Sequence, residues 1–233
     1  MSRKSIAVVV DSSAHIPPEV KRGLAIYTIP LWLVWDNENY LDGVDITPPE
    51  FFSRLKTSKT LPSSSQPTAG EFMAFYEKIF DETQADAIVN VLASSNISGT
   101  VNCAAKAISQ LPGYDIRLVD SLSSAMGLGF AALAAARAAK EGKTLDEVVQ
   151  AAESMVQKNH VLFVVDTLEY LHRGGRISGG KRFVGTALQI KPILHFEEGF
   201  IRPYSQARTK RKAIDLLLKT IEQRLAGRVM AEV

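Results

Sequence analysis

The chain has 233 residues, 46% hydrophobic and 22% charged, enough to bury a sizeable core as one large domain or two smaller ones. A formal net charge of +2 excludes recognition of nucleic acid or an anionic membrane by bulk charge, so any basic role must come from local clustering. The single cysteine, Cys103, excludes an intramolecular disulfide and suits a reducing cytoplasm.

The opening MSRK leads straight into SIAVVV (5–10), with no apolar stretch of signal-peptide length. That Val-rich run has the continuous apolar character of a strand covered on both faces. IYTIPLWLVW (26–35) reads as a second strand, with Pro30 marking an edge or a bulge. TPPE (47–50) opens a helix with a Thr cap, a Pro at the first position and a Glu three residues after the cap. LPSSSQPT (61–68) is a polar loop whose last residue caps the next helix. There TAGE repeats the capping box, and Phe72, Phe75, Tyr76, Ile79 and Phe80 recur at helical spacing.

DAIVNVLA (86–93) and DIRLVD (115–120) are further strands, and TLDE (144–147) opens a third capped helix. The stretch LSSAMGLGFAALAAARAAKEG, dominated by Ala and Gly and interrupted by Arg137 and Lys140, is a buried helix and not a membrane span. Strands alternating with capped amphipathic helices argue for βαβ units. The fold class is therefore α/β, with two domains: residues 1–160 form a mostly parallel sheet flanked by helices.

From 161 to 233 the pattern is α+β. VLFVV (161–165) is a strand, a short helix ends at Gly174 and Gly175, IKPILHFEEGFIRPYSQ is a hairpin around Glu-Glu-Gly, and TKRKAIDLLLKTIEQRLAG is an amphipathic helix. RVMAEV begins another strand-like run and stops at Val233, so the chain is expected to be truncated there.

Three strands end in polar clusters: Asp11, Ser12 and Ser13; Ser94, Ser95 and Asn96; Asp120 and Ser121. In a parallel sheet such ends share one edge, where open α/β sheets bind ligands. Each cluster alone is explained by helix caps and turns; three together, with the Ser-Ser-Ser loop, point to a site. A serine hydrolase needs a histidine on its nucleophile, and only His15, His160, His172 and His195 exist, without a Gly-x-Ser-x-Gly elbow. No His, Asp or Glu spacing matches a metal site. GRISGGKR (175–182) follows the phosphate-loop pattern through Lys181 but has Arg182 in place of the Ser or Thr that holds magnesium. Hydroxyls without a base still donate to a carboxylate or phosphate, at roughly 1.5–3 kcal/mol per charge-assisted bond.

VVVDSSAHIP, SSSQPTAGEF, SSNISGTVNCA, VDSLSSAMGLG, DTLEYLHRGGRIS and IKPIL…GFIRP…ARTKRKA, in this order, resemble the DegV family of bacterial fatty acid-binding proteins from about residue 5 to the end. The resemblance implies a two-domain, non-catalytic carrier that encloses a long-chain fatty acid and presents its carboxylate to a partner fatty acid kinase. It also implies a cytoplasmic setting in phospholipid synthesis, no metal or other cofactor, no nucleic acid and no integral membrane association. Carboxylate-binding groups carry over to Ser64 and Ser95, with Ser94 the competitor. Arg173, Arg176 and Arg208 match basic positions near the headgroup opening or the partner surface. Ser64 stands where many relatives have Thr, and the family's C-terminal Gly-rich segment with a headgroup His lies beyond Val233.

Burying each methylene contributes about 0.8 kcal/mol, so a palmitoyl-sized tail brings on the order of 12 kcal/mol before ordering costs. Leu31, Trp32, Leu33, Phe72, Phe75 and residues 130–136 are candidates for tunnel walls or for core. Three alternatives stay open: an acyl hydrolase or transferase using Ser95 or Ser13, a phosphate or nucleotide module using loops 173–182 and 208–212, and a scaffold protein with an apolar groove.

Overall fold

A computed structural model describes residues 4–177, 190–225 and 227. It divides into two compact units, residues 1–159 and 160–233.

The first unit is built on four parallel strands: β1 (Ile6–Asp11), β2 (Ile26–Ile29), β6 (Ala87–Leu92) and β7 (Ile116–Asp120), in the order β2-β1-β6-β7. Every residue of β1 and β6 is buried, the polar Asp11 and Asn90 included, as expected of mainly apolar strands covered on both faces. Alternation divides these strands between two cores. Ala7, Val9, Ile88 and Leu92 meet α3 (Ala69–Thr83) and α4 (Thr100–Ser109) through Phe72, Tyr76 and Ala104. Val8, Val10, Val89 and Val91 meet α5 (Met126–Glu141) and α6 (Leu145–Lys158) through Leu128, Ala132 and Val148. Because β1 has β2 on one side and β6 on the other, chain order reverses at its carboxyl end, the switch point where such sheets open a crevice.

Three helices start as their sequences require. Thr47/Glu50 on α2 (Pro48–Thr57), Thr68/Glu71 on α3 and Thr144/Glu147 on α6 form capping boxes. Burial raises the Glu71 carboxyl's pKa, but hydrogen bonds from the Thr68 backbone and hydroxyl and from Trp32 Nε1 outweigh it and hold the pKa below the usual value. A depressed folded pKa stabilises above the unfolded value, and that contribution is lost as pH falls through the folded one. Urea titrations across the acid range should show this slope reduced in Glu71→Gln, while Thr68→Ala lowers stability by about 1 kcal/mol at neutral pH.

Two expectations are corrected. Residues 26–35 are two strands: Pro30 and Leu31 separate β2 from β3 (Trp32–Trp35), which joins a different sheet. That sheet is antiparallel, in the order β4-β3-β5, with β4 (Glu38–Leu41) reached through a two-residue turn at Asp36 and Asn37, both at positive φ. Its third strand, β5 (Ser63–Ser65), is the segment expected to be a loop; Ser64 pairs with Leu33. Trp35, 1% exposed, anchors the sheet against Phe51 of α2, and its Nε1 donates to Ser58 and Thr60.

In the second unit, β8 (Leu162–Val164), β9 (Lys191–Glu197) and β10 (Phe200–Ala207) form an antiparallel sheet in the order β10-β9-β8. The expected turn lies at Glu198 and Gly199, both at positive φ. The short α7 (Glu169–Arg173) follows β8, and α8 (Lys210–Leu225) packs on the sheet with Ala213 and Thr220 buried. The phosphate-loop-like residues 178–182 and the terminal run 228–233 lie outside the described residues.

Candidate functional site

The parallel sheet brings the carboxyl ends of β1, β6 and β7 to one edge. At its centre the Asp11 carboxylate, 0% exposed, accepts from Ala93 N at 2.8 Å, Ser13 N at 3.0 Å and Ser13 Oγ at 2.5 Å. Burial pushes its pKa up, against the downward pull of those donors. Asp11 thus ties the loop after β1 to the loop after β6. Asp120 does the same between β7 and β6: its carboxylate accepts from Ser95 N at 3.2 Å and Leu122 N at 2.9 Å.

The small sheet is pinned to the same edge. Ser12 Oγ accepts from Leu31 N and donates to Asp42, and Trp32 Nε1 donates to Glu71 at the start of α3. These bonds place β5 and its continuation, Gln66, beside the loop after β6. Gly99, at the start of α4, explains how closely: a β-carbon there would lie 3.0 Å from Gln66 Nε2 and 3.2 Å from Gln66 Cδ. The Ser-rich strand and the SSNISGT segment therefore meet, two residues from Ser64 and four from Ser95.

Within this meeting point the hydroxyls divide into two kinds. Ser94 is fully buried, and its Oγ accepts from Asn96 N while its carbonyl takes the N–H groups of Ile97 and Ser98. Ser98 and Thr100 bond one another at 2.6 Å, and Ser98 Oγ takes the N–H of Thr100 at the first residue of α4. Ser121 and Ser123 are buried in mutual turn bonds, and Ser124 donates to Ser13. Ser64 and Ser95, by contrast, are exposed, and among the described residues neither hydroxyl has a hydrogen-bond partner. Sequence leaves Ser94 and Ser95 as competitors; the fold spends Ser94 on the turn and leaves Ser95 facing outward.

The hydroxyl of Ser13, a candidate nucleophile, is bonded to Asp11 and Ser124, and among the described residues no histidine is hydrogen-bonded to it or to Ser95 Oγ. Among the described residues no cluster of His, Cys, Asp and Glu is suited to a metal ion. No described helix is long and apolar enough to cross a membrane. Arg173, ion-paired to Glu169 at 3.0 Å, Arg176, bonded to the Gly174 carbonyl, and Arg208 are exposed residues of the second unit.

The tunnel-wall candidates separate. Phe72 is solid core on the α3/α4 face, whereas Ala131, Ala132, Ala135 and Ala136 lie in the core of the opposite face, so the two sets cannot wall one channel in this unit. A cleft of about 240 Å3 opens at the carboxyl end of β1 on its β2 side, lined by Ser12, His15, Lys21, Thr28, Asp42 and Val44 among others. It falls below the range of pockets that enclose drug-sized ligands. Sequence reasoning missed Gln66; the signal that could have found it is Gly99, a glycine in ordinary backbone geometry whose missing side chain makes room for an approaching group.

Comparisons with known proteins agree with this architecture. A DegV domain-containing protein of Listeria monocytogenes is 37% identical over 227 residues, covering 96% of this chain and 80% of that protein. The crystal structure of DegV from Bacillus subtilis, described as a fatty acid binding protein, is 36% identical with a TM-score of 0.85 over 96% of this chain and 79% of that one. A DegV family protein from Thermus thermophilus, whose structure concerns fatty acid binding, is 33% identical with a TM-score of 0.85 over 94% of this chain and 77% of that one. The family model described as "Uncharacterised protein, DegV family" matches residues 5–233, and the chain belongs to the DegV family.

Proposed function

We propose that this chain binds a long-chain fatty acid, encloses its tail and holds its carboxylate with the hydroxyls of Ser64 and Ser95. The observation that carries the reading is the pair of exposed hydroxyls, unpartnered among the described residues, on two segments packed together at the switch-point edge, where Ser94, Ser98, Ser121 and Ser123 are taken up by turns. The α4 N-terminus beside them adds positive potential, and Gly99 brings no capping side chain of its own. Two solved relatives above 30% identity are described as fatty acid-binding, which supports the same ligand class.

The carrier role follows from the chemistry: the donors are neutral and unactivated, so they orient a carboxylate and leave it unreacted. We extend the reading to presentation of that carboxylate to a fatty acid kinase, with Arg173, Arg176 and Arg208 as basic positions of the opening or of the partner surface. Gentle purification followed by organic extraction and mass spectrometry tests the ligand class. A stoichiometric long-chain acid is the expected result. Its absence, together with no saturable binding of added palmitic acid, overturns the reading. The kinase step is tested by adding a bacterial fatty acid kinase and ATP: acyl phosphate should form from bound palmitic acid, and its failure to form removes that extension alone.

A further inference from the structure

Gln66 follows β5 directly and is half-buried, with the buried Pro67 after it. Its carboxamide lies across the start of α4, with Nε2, Cδ and Oε1 at 3.0, 3.2 and 3.5 Å from the point where a Gly99 β-carbon would stand. Three amide atoms at similar distances mean that the amide faces the space a Gly99 side chain would fill. Yet the side chain makes no hydrogen bond among the described residues; Gln66 enters the network only through its backbone carbonyl, which accepts from Ser65 Oγ.

The amide has two donors and an acceptor, is half-buried and makes no side-chain bond among the described residues, so its hydrogen-bonding capacity is open to a ligand. The neighbouring carboxylates do not use it: Glu71 is taken by Thr68 and Trp32, and Asp120 by Ser95 N and Leu122 N. The vacancy at Gly99 is what admits the amide to this position, between the segments that carry Ser64 and Ser95.

We propose that Gln66 is a specificity-determining residue, a third headgroup ligand whose Nε2–H donates to an anionic ligand head and so selects carboxylates over neutral or cationic amphiphiles. The inference rests on the fatty acid reading above, and it deepens it: all three donors are neutral, so selection for charge comes from donor orientation and not from a paired cation. A glutamate of the same shape at this position sets a carboxylate against a carboxylate, whereas alanine only removes a donor.

The test uses the full chain, with palmitic acid and hexadecylamine as probes sharing one tail, titrated by displacement of a fluorescent fatty acid; thermal melts check folding of each variant. Wild type should prefer palmitic acid. Gln66→Ala should weaken it about tenfold, one charge-assisted bond's worth. Gly99→Ala, whose methyl displaces the amide, should weaken it similarly. Gln66→Glu should weaken palmitic acid further and reverse the preference towards hexadecylamine, which loss of a purely structural contact would not do. If wild type binds palmitic acid and Gln66→Glu keeps the same affinity and preference, the role of Gln66 is wrong while the fatty acid reading stands. If wild type does not bind palmitic acid at all, both fall.

Discussion

Replacing Ser64 and Ser95 together by alanine should weaken binding of a long-chain fatty acid by about a hundredfold or more, with each single variant losing roughly tenfold. The magnitude follows from the kind of bond: a hydroxyl donating to a carboxylate is worth roughly 1.5–3 kcal/mol, and the two donors stand on separate segments, so their losses combine. The tail contributes most of the affinity, at about 0.8 kcal/mol per methylene, so the double variant should retain weak binding with a much reduced preference for the acid over its methyl ester. Both hydroxyls are exposed and, among the described residues, unpartnered, so stability should hardly change. Isothermal titration paired with thermal melts separates the two effects. Ser94→Ala supplies the contrast, because its hydroxyl is buried and accepts from Asn96 N. That substitution should cost stability in the first place, with any effect on affinity following from the altered turn.

The second large effect is on the scaffold. Asp11→Asn should destabilise the first unit by about 3 kcal/mol, because one of the two amide positions must place a donor against Ala93 N or against the Ser13 donors. Urea unfolding should show a lower midpoint with an unchanged slope. The pH dependence has a defined sign. Burial raises the Asp11 pKa above the ordinary 3.8, so the folded state holds its proton more tightly and this group's contribution to stability falls as pH rises from that value into the raised one. The asparagine variant lacks that contribution. An unchanged urea midpoint would mean that the loops after β1 and β6 are held together by packing alone.

Much of the architecture was legible because local signals agreed with the tertiary arrangement. Thr-x-x-Glu marked the starts of α2, α3 and α6, and the short, Val-rich apolar runs of β1 and β6 read as strands covered on both faces. A parallel sheet then forces three polar strand ends to one edge. The small antiparallel sheet was not read, for two physical reasons. The run 26–35 is apolar across Pro30, so composition conceals that the chain leaves one sheet and enters another. Ser63–Ser65 has no intrinsic strand preference; it is extended because Val34, Leu33 and Trp32 offer backbone partners on an open edge.

At the site, alternation along a strand end says that Ser94 and Ser95 point different ways but not which one faces solvent. Burial by the turn at Ser121–Ser123 decides it, since Ser94 N is held by the Ser123 carbonyl. Core and ligand lining are chemically alike in sequence, which is why Phe72 and the alanines of α5 were grouped together until the sheet placed them on opposite faces.

The most direct measurement is a crystal structure of the protein grown with palmitic acid. The account predicts continuous, unbranched density whose carboxylate ends within hydrogen-bond distance of Ser64 Oγ and Ser95 Oγ. A bound acid with its carboxylate elsewhere, those two hydroxyls still facing water, would contradict it.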